Sequence, residues 1–372
     1  MGDDALPREL PALVAALRAR HPCPHHLSLR LAADYAARIE SNDPALIEQL
    51  AAYFCEFLGA PPAGVRPTVI TAIQAAPPAI ERSFDAAGFT TAAFKPGPRG
   101  PKEAYLDIPG GRLVRKLRTG MVFAFGGRDH AAIGDCLAND NQVHNFVCNR
   151  LIQRRLDDGC LLGHAASVSH EGGRTLVIAG FSGMGKSTLS LRAMDTPGSI
   201  FISNDRVMLE REGDAVIVHG VPKHPRINPG TILHNERLSW LLTPAERAEF
   251  AALEGDALWG LERKYDGLIH RSFGTGKLRL RARLSALVLL NWRRDVGPAA
   301  LREIDLNARR ELLPAIMKDP GAFYLAAGAG SRATEDDYVA AFAGVPVFEF
   351  AGGVDFERAA AFCGELLQGS RG

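Results

Sequence analysis

Residues 175–188 read TLVIAGFSGMGKST, and the reading of the fold starts from them. The first five are an apolar run of strand length, and the glycines that follow cannot continue a strand. Gly180, Gly183 and Gly185 let the backbone curl until its N–H groups point inward at phosphate oxygens. Ser182 and Met184 fill the spacing of the pattern G-x-x-x-x-G-K-[ST]. Lys186 can reach β- and γ-phosphates, Ser187 offers a hydroxyl to Mg²⁺, and Thr188 continues a helix whose positive dipole end faces the anion. The stretch implies a bound nucleoside triphosphate, with ATP and Mg²⁺ the expected ligands.

Working outward, the flanks alternate strands with short helices. CLLGHAASV (160–168) is a strand candidate, separated from the phosphate-loop strand by a turn at Glu171-Gly172-Gly173. SIFIS (199–203) is another buried strand, and Asn204-Asp205-Arg206 follows its end. Open α/β sheets hold their ligands at the carboxyl ends of strands, which makes Asp205 the best candidate for the acid that organises Mg²⁺. A hairpin is expected over 207–218 around Gly213-Asp214. Thr243-Pro244-Ala245-Glu246 is a capping box with proline at the first helical position. Residues 278–290 read as one long strand, residues 345–350 as a further strand, and a C-terminal helix closes the chain. This half predicts an α/β domain over 141–372.

The other half predicts an α+β lobe over 1–140. Residues 5–58 are Ala/Leu-rich with helical spacing, as at Leu46, Ile47, Leu50, Tyr53, Phe54 and Phe57, and Gly59 with Pro61-Pro62 stops the helix. Residues 60–111 are rich in Pro and Gly, and 94–100 (FKPGPRG) reads as a loop. Residues 112–126 read as one or two strands, whose Arg112, Arg115, Lys116 and Arg118 suit a solvated edge. Residues 141–157 read as a helix ended by Gly159.

The 372 residues carry a net charge of +1, which gives no whole-chain pull on nucleic acid or membrane. No apolar run approaches the roughly 18 residues of a membrane span, and the N-terminus, with Asp3 and Asp4, lacks the basic start of a signal peptide. Six cysteines without a C-x-x-C pair suit reduced thiols in a cytoplasmic protein. HPCPHH (21–26) carries metal-ligand side chains, but its prolines hold them apart.

Four features in this order resemble the HPr kinase/phosphorylase family, most of all the HPr-kinase-related kinase B group. They are His164 in GHAASV, the loop GFSGMGKST, SNDRV at 203–207, and FGTGKLR at 273–279 followed by LSALVLLNW. The resemblance covers roughly residues 140–300. It implies a P-loop kinase core of the phosphoenolpyruvate-carboxykinase/HPr-kinase type with a mixed sheet, ATP and Mg²⁺ as cofactors, and a homo-oligomer. It implies phosphate transfer to a hydroxyl, on a protein serine or a small polyol or amino alcohol. By position, Asp205 would be the Mg²⁺-linked acid, His164 an active-site polar partner, and Arg279 would face the transferring phosphate. The family has an Asp-Asp pair where this chain has Asn204-Asp205, and Asn cannot accept a proton. Either Asp205 serves both roles, or His164 takes the proton, or catalysis is weak or different.

Other residues stand beside these. KHPRINPG (223–230) offers Lys223, His224, Arg226 and Asn228 for an acidic acceptor or phosphate, or is a rigid surface loop. Glu262 and Asp266 are surface charges or outlying acids. Arg279, Arg281 and Arg283 share one side of a strand. Two other function classes fit the loop as well: an ATPase that hydrolyses without transfer, and a nucleotide sensor without chemistry, for which Asn204 is the best argument.

Overall fold

The structure is a computed structural model describing residues 6–78, 90–91, 100–253, 255–261, 263–294, 296–326 and 333–370. Asp3, Asp4, Glu262 and the loop over 94–100, except Gly100, lie outside the described residues. Contacts divide the chain into two units, Met1–Asp157 with Pro320–Gly330, and Asp158–Asp319 with Ser331–Gly372.

The first unit is built on one mixed eight-stranded sheet. Its order is β1 (His25–Arg30), β2 (Ala36–Ser41), β3 (Thr68–Gln74), β8 (Asp129–Gly134), β7 (Val122–Gly126), β6 (Gly111–Lys116), β5 (Glu103–Ile108) and β4 (Thr90–Thr91). Strand side chains alternate between faces, and β7 uses both. Val122 and Ala124 pack with Leu10, Leu13 and Leu17 of helix α1 (Leu10–Arg20). Phe123 and Phe125 stand 5.0 and 5.9 Å from the Phe146 ring of helix α3 (Asp140–Asp157). Helix α2 (Pro44–Tyr53) is capped by Asp43, whose carboxylate accepts from the amides of Ala45 and Leu46. The continuous helix expected over 5–58 is thus two helices around the antiparallel β1–β2 hairpin. Leu27 and Leu29 are buried while His26 and Arg30 face out, a period of two that an alanine-rich background disguises.

Two basic side chains are buried in this unit. Arg150 is buried, its guanidinium 4.1 Å above the Phe125 ring and bonded to the Phe323 carbonyl, and burial lowers its pKa to about 10. His130 on β8 is also buried, and its Nδ1 has no hydrogen-bond partner among the described residues. Burial first, then the charges of Arg150 and Arg18, push the His130 pKa from 6.5 to about 3. The unfolded chain therefore binds a proton that the folded chain refuses between about pH 6.5 and about 3. Stability falls as pH drops through that window, by up to about 1.4 kcal/mol per unit from this residue. Urea unfolding of wild type and His130→Gln at pH 7 and pH 5 should show a shallower loss in the variant. An equal loss in both would mean that His130 is not held neutral.

The second unit contains a mixed six-stranded sheet, ordered β12 (Ser199–Ser203), β10 (Ala165–His170), β11 (Thr175–Gly180), β18 (Ala286–Trp292), β20 (Val347–Gly352) and β19 (Ala299–Glu303). β11 is parallel to β18, and β18 to β20. A four-stranded antiparallel sheet joins β17 (Arg281–Arg283), β14 (Ala215–His219), β13 (Val207–Glu212) and β9 (Leu161–Gly163). β15 (Arg226–Ile227) pairs with β16 (Tyr265–Asp266). Every residue of β11 is buried, as a central strand covered on both faces requires. Val177 and Ala179 pack with Ile200, Leu287 and Leu289, and helices α4 (Lys186–Ala193) and α5 (Phe356–Gln368) also pack on β11. Each Val, Ile or Leu among them contributes roughly 1.5–3 kcal/mol relative to exposure.

The single strand expected over 278–290 is instead β17 and β18, which belong to different sheets. The chain crosses between them at Leu284, whose amide bonds Val216 of the four-stranded sheet, and Ser285, whose amide bonds Thr175 of the six-stranded one.

Candidate functional site

The sheet register brings the candidate residues to one edge. β10 runs antiparallel to β11 with Ala165 opposite Ala179, so His164 precedes β10 beside the end of β11, where the phosphate loop begins. β12 runs antiparallel to β10 with Ser203 opposite Ser167, so its carboxyl end, and Asn204-Asp205 after it, reach the same edge. A register shift between Ser167 and Val168 adds one residue to β12 there, a bulge of the kind that re-aims side chains beside functional sites.

The loop itself is shaped by its glycines and pinned from behind. Gly183 and Gly185 have φ of +84° and +83°, values that L-residues with a Cβ avoid. A Cβ on Gly185 would also overlap the Phe356 ring. Trp292, at the end of β18, lies against that ring at 4.9 Å and donates from Nε1 to the Met184 carbonyl at 3.0 Å. Lys186 folds over the loop and donates to the carbonyls of Gly180 at 2.7 Å and Phe181 at 3.1 Å. Burial lowers its pKa to about 8, with Asp205 opposing and Lys318 adding to the shift. The Thr188 and Thr231 hydroxyls share a hydrogen bond of 2.8 Å.

Asp205 is held in a special conformation. Its φ is +70°, the one positive value at a non-glycine among the described residues. Asp tolerates the left-handed region better than most residues, at a cost of about 1–2 kcal/mol. Ser203 secures the turn, because its hydroxyl donates to the Arg206 carbonyl and accepts from the Val221 amide. His164 Nε2 stands 3.5 Å from Asp205 Oδ1, and Arg206 Nε is 3.8 Å from Oδ2. Burial raises the Asp205 pKa, but the His164 hydrogen bond and the charges of Lys223 and Arg206 outweigh it, so the carboxyl sits well below its usual range. It is a carboxylate at any physiological pH. Asn204 is buried, and its Oδ1 has no hydrogen-bond partner among the described residues.

These groups line one cleft of about 350 Å³, entirely within the second unit. The loop side presents Ser182, Gly183, Gly185, Lys186, Ser187 and Thr188, and His164, Asn204 and Asp205 stand with them. Gly180 and Met184 serve through their carbonyls, as acceptors for Lys186 and Trp292. The 223–230 segment also lines the cleft, through Lys223, His224, Arg226 and Asn228. His224 accepts at Nδ1 from the Ile269 amide, which fixes the segment in place. Arg226 Nε is 3.4 Å from Asp266, its partner across β15–β16. Arg279 is not brought to this cleft. It is exposed, its amide bonds Phe201 in mid-strand, and its charge reaches Glu171 instead. Arg281 pairs with Glu212.

Sequence reasoning missed Lys264, Thr231 and Leu258 in the cleft lining, and Trp292, Phe356 and Ser203 as its supports. Lys264 and Leu258 lie in a stretch without periodicity, so nothing marks them. Trp292 was visible as the end of the strand after FGTGKLR, but not its reach to the loop. In the 21–26 segment the Cys23 thiol donates to the His21 carbonyl, and its ligand side chains do not gather among the described residues. No disulfide joins the six cysteines, and no helix among the described residues is long and apolar enough to cross a membrane.

No protein-family model matches the chain, and no curated protein matches it. Among solved structures, it is similar to the HPr(Ser) kinase/phosphatase from Coxiella burnetii, at 13% identity and a TM-score of 0.28, over 56% of this chain and 95% of that one.

Proposed function

We propose that the second unit is a P-loop kinase core of the HPr-kinase type that transfers the γ-phosphate of ATP to a hydroxyl. The observation that carries this is the meeting, in one cleft, of the glycine loop and Lys186 with an ionised Asp205 backed by His164. The loop suits triphosphate: two glycines adopt conformations that free backbone N–H groups, and a helix of eight residues starts at Lys186. Mg²⁺ would be held by the Ser187 hydroxyl and the Asp205 carboxylate, and supplies charge neutralisation at the β- and γ-phosphate oxygens. That donor set, all oxygen, is the chemistry Mg²⁺ prefers. Lys186 binds phosphate charge, His164 holds Asp205 and is within reach to take a proton, and Lys223 and Arg226 favour an acceptor with an anionic group. The acceptor class remains a protein serine or a small-molecule hydroxyl.

The test is ATP turnover by the purified protein, with and without cell extract, followed by identification of the labelled species. Turnover that requires extract and labels an acceptor supports transfer. Turnover without extract would make the protein an ATPase. Intact ATP binding with no turnover in either case would make it a nucleotide sensor, the reading that Asn204 favours.

A further inference from the structure

Away from the cleft, the four-stranded sheet gathers three metal-ligand side chains. Cys160 precedes β9, Glu210 lies on β13 and His219 ends β14. Leu161 pairs with Leu209, which sets Cys160 beside Glu210, and Met208 pairs with His219. Residues 208 and 210 share a face, so all three side chains rise from the same side of the sheet. One ligand atom from each lies within 4.8 Å of the others. Among the described residues this is the one group of three so placed.

The plain alternative is a His–Glu hydrogen bond with a neighbouring thiol, since His219 Nε2 and Glu210 Oε2 are 2.6 Å apart. That pair joins two of the three residues, and the Cys160 sulfur stands beside them as a third ligand atom. We propose that Cys160, Glu210 and His219 form a Zn²⁺ site. Thiolate, imidazole and carboxylate together are zinc ligands, whereas Mg²⁺ and Ca²⁺ take oxygen alone. Cys160 and His219 are buried, and Glu210 is part-exposed, which gives the ion a way in and leaves a fourth position for water. At zinc bond lengths of roughly 2.0–2.3 Å, tetrahedral ligand atoms stand about 3.3–3.6 Å apart. The sulfur must close in and the His–Glu pair must spread, each by about 1 Å, which is a rotamer adjustment rather than a backbone one.

The ion would tie β9 to β13 and β14. The same β9–β13 ladder ends at the pair Gly163–Val207, next to His164 and Asp205, so the metal fixes the strand pair that carries them. The inference needs no nucleotide and stands whether or not the cleft transfers phosphate.

The experiment is titration of the full chain, reduced and freed of metal by chelator and dialysis, with Zn²⁺ alone and then Co²⁺ alone. We expect about one equivalent bound and a near-ultraviolet thiolate-to-cobalt band. Cys160→Ser should abolish the band and weaken Zn²⁺ by more than the roughly 10–100-fold that loss of an outer hydrogen-bond partner costs. Cys23→Ser, in the His-rich segment, should change neither. Glu210→Gln, an isosteric change at a part-exposed position, should also weaken Zn²⁺. The proposal falls if the wild type binds no Zn²⁺, if Cys160→Ser and Glu210→Gln bind it unchanged, or if only Cys23→Ser removes the cobalt band.

Discussion

Lys186→Ala is expected to lower the affinity for ATP by on the order of 10²–10⁴. Two hydrogen bonds from an ammonium to phosphate oxygens, at about 1.5–3 kcal/mol each, set that range, and 1.4 kcal/mol is tenfold. In the free protein the ammonium rests on the carbonyls of Gly180 and Phe181, so the loop is already shaped around it. Burial costs the charge enough to bring its pKa down to about 8, which means the residue is not there for stability. The variant should accordingly fold as well as the wild type or better, and a thermal melt separates lost binding from lost structure. Lys186→Arg is not a rescue, since a planar fork does not fit a site built around a compact ammonium. Calorimetric titration with ATP and Mg²⁺ measures the effect. If Lys186→Ala binds ATP as tightly as the wild type, the loop is not the triphosphate site.

What made this loop legible is that every part of its signal is local. A strand buried on both faces must be continuously apolar, and glycines with positive φ must be glycines. Less local features misled. From 278 to 290 the apolar pattern never pauses, yet Leu284 and Ser285 hand the chain from one sheet to another, because hydrophobicity records burial and not the sheet in which it occurs. In residues 25–41 a period of two was hidden between two helices that share its alanine-rich composition. His164 and Asp205 could be read because strand ends locate them. Lys264 could not, because it reaches the cleft from irregular chain. Arg279 was drawn by motif alone, and the register of Phe201 with Leu278 places it beside mid-strand rather than at the strand's end.

Asp205→Ala is expected to remove nearly all turnover while weakening ATP mainly when Mg²⁺ is present. The carboxylate, part-exposed at the cleft, is held ionised by the His164 hydrogen bond and by Lys223 and Arg206, which is the state a metal-linked acid needs. The same charge environment makes it a poor base, so the acceptor's proton must go to His164, to water or to the phosphate. His164→Ala should cost a factor on the order of 10²–10⁴ if His164 takes it, the usual range for general acid–base catalysis. Removing His164 also removes a partner of Asp205, at 3.5 Å, so the pH profile matters as much as the rate. Loss of a base flattens the acid limb, whereas mere misplacement of Asp205 lowers the rate without moving it. Asn204→Asp restores the acidic pair that the family resemblance implies. Two adjacent carboxylates raise one pKa, and a buried position next to Asp205 raises it further, toward a useful base near neutral pH. That variant should keep or raise the rate. All three are measured under saturating ATP and Mg²⁺ with the labelled acceptor supplied. An Asp205→Ala protein with unchanged turnover removes this mechanism. A dead Asn204→Asp protein would show that the amide is itself required, its buried oxygen, which has no hydrogen-bond partner among the described residues, holding the acceptor's hydroxyl.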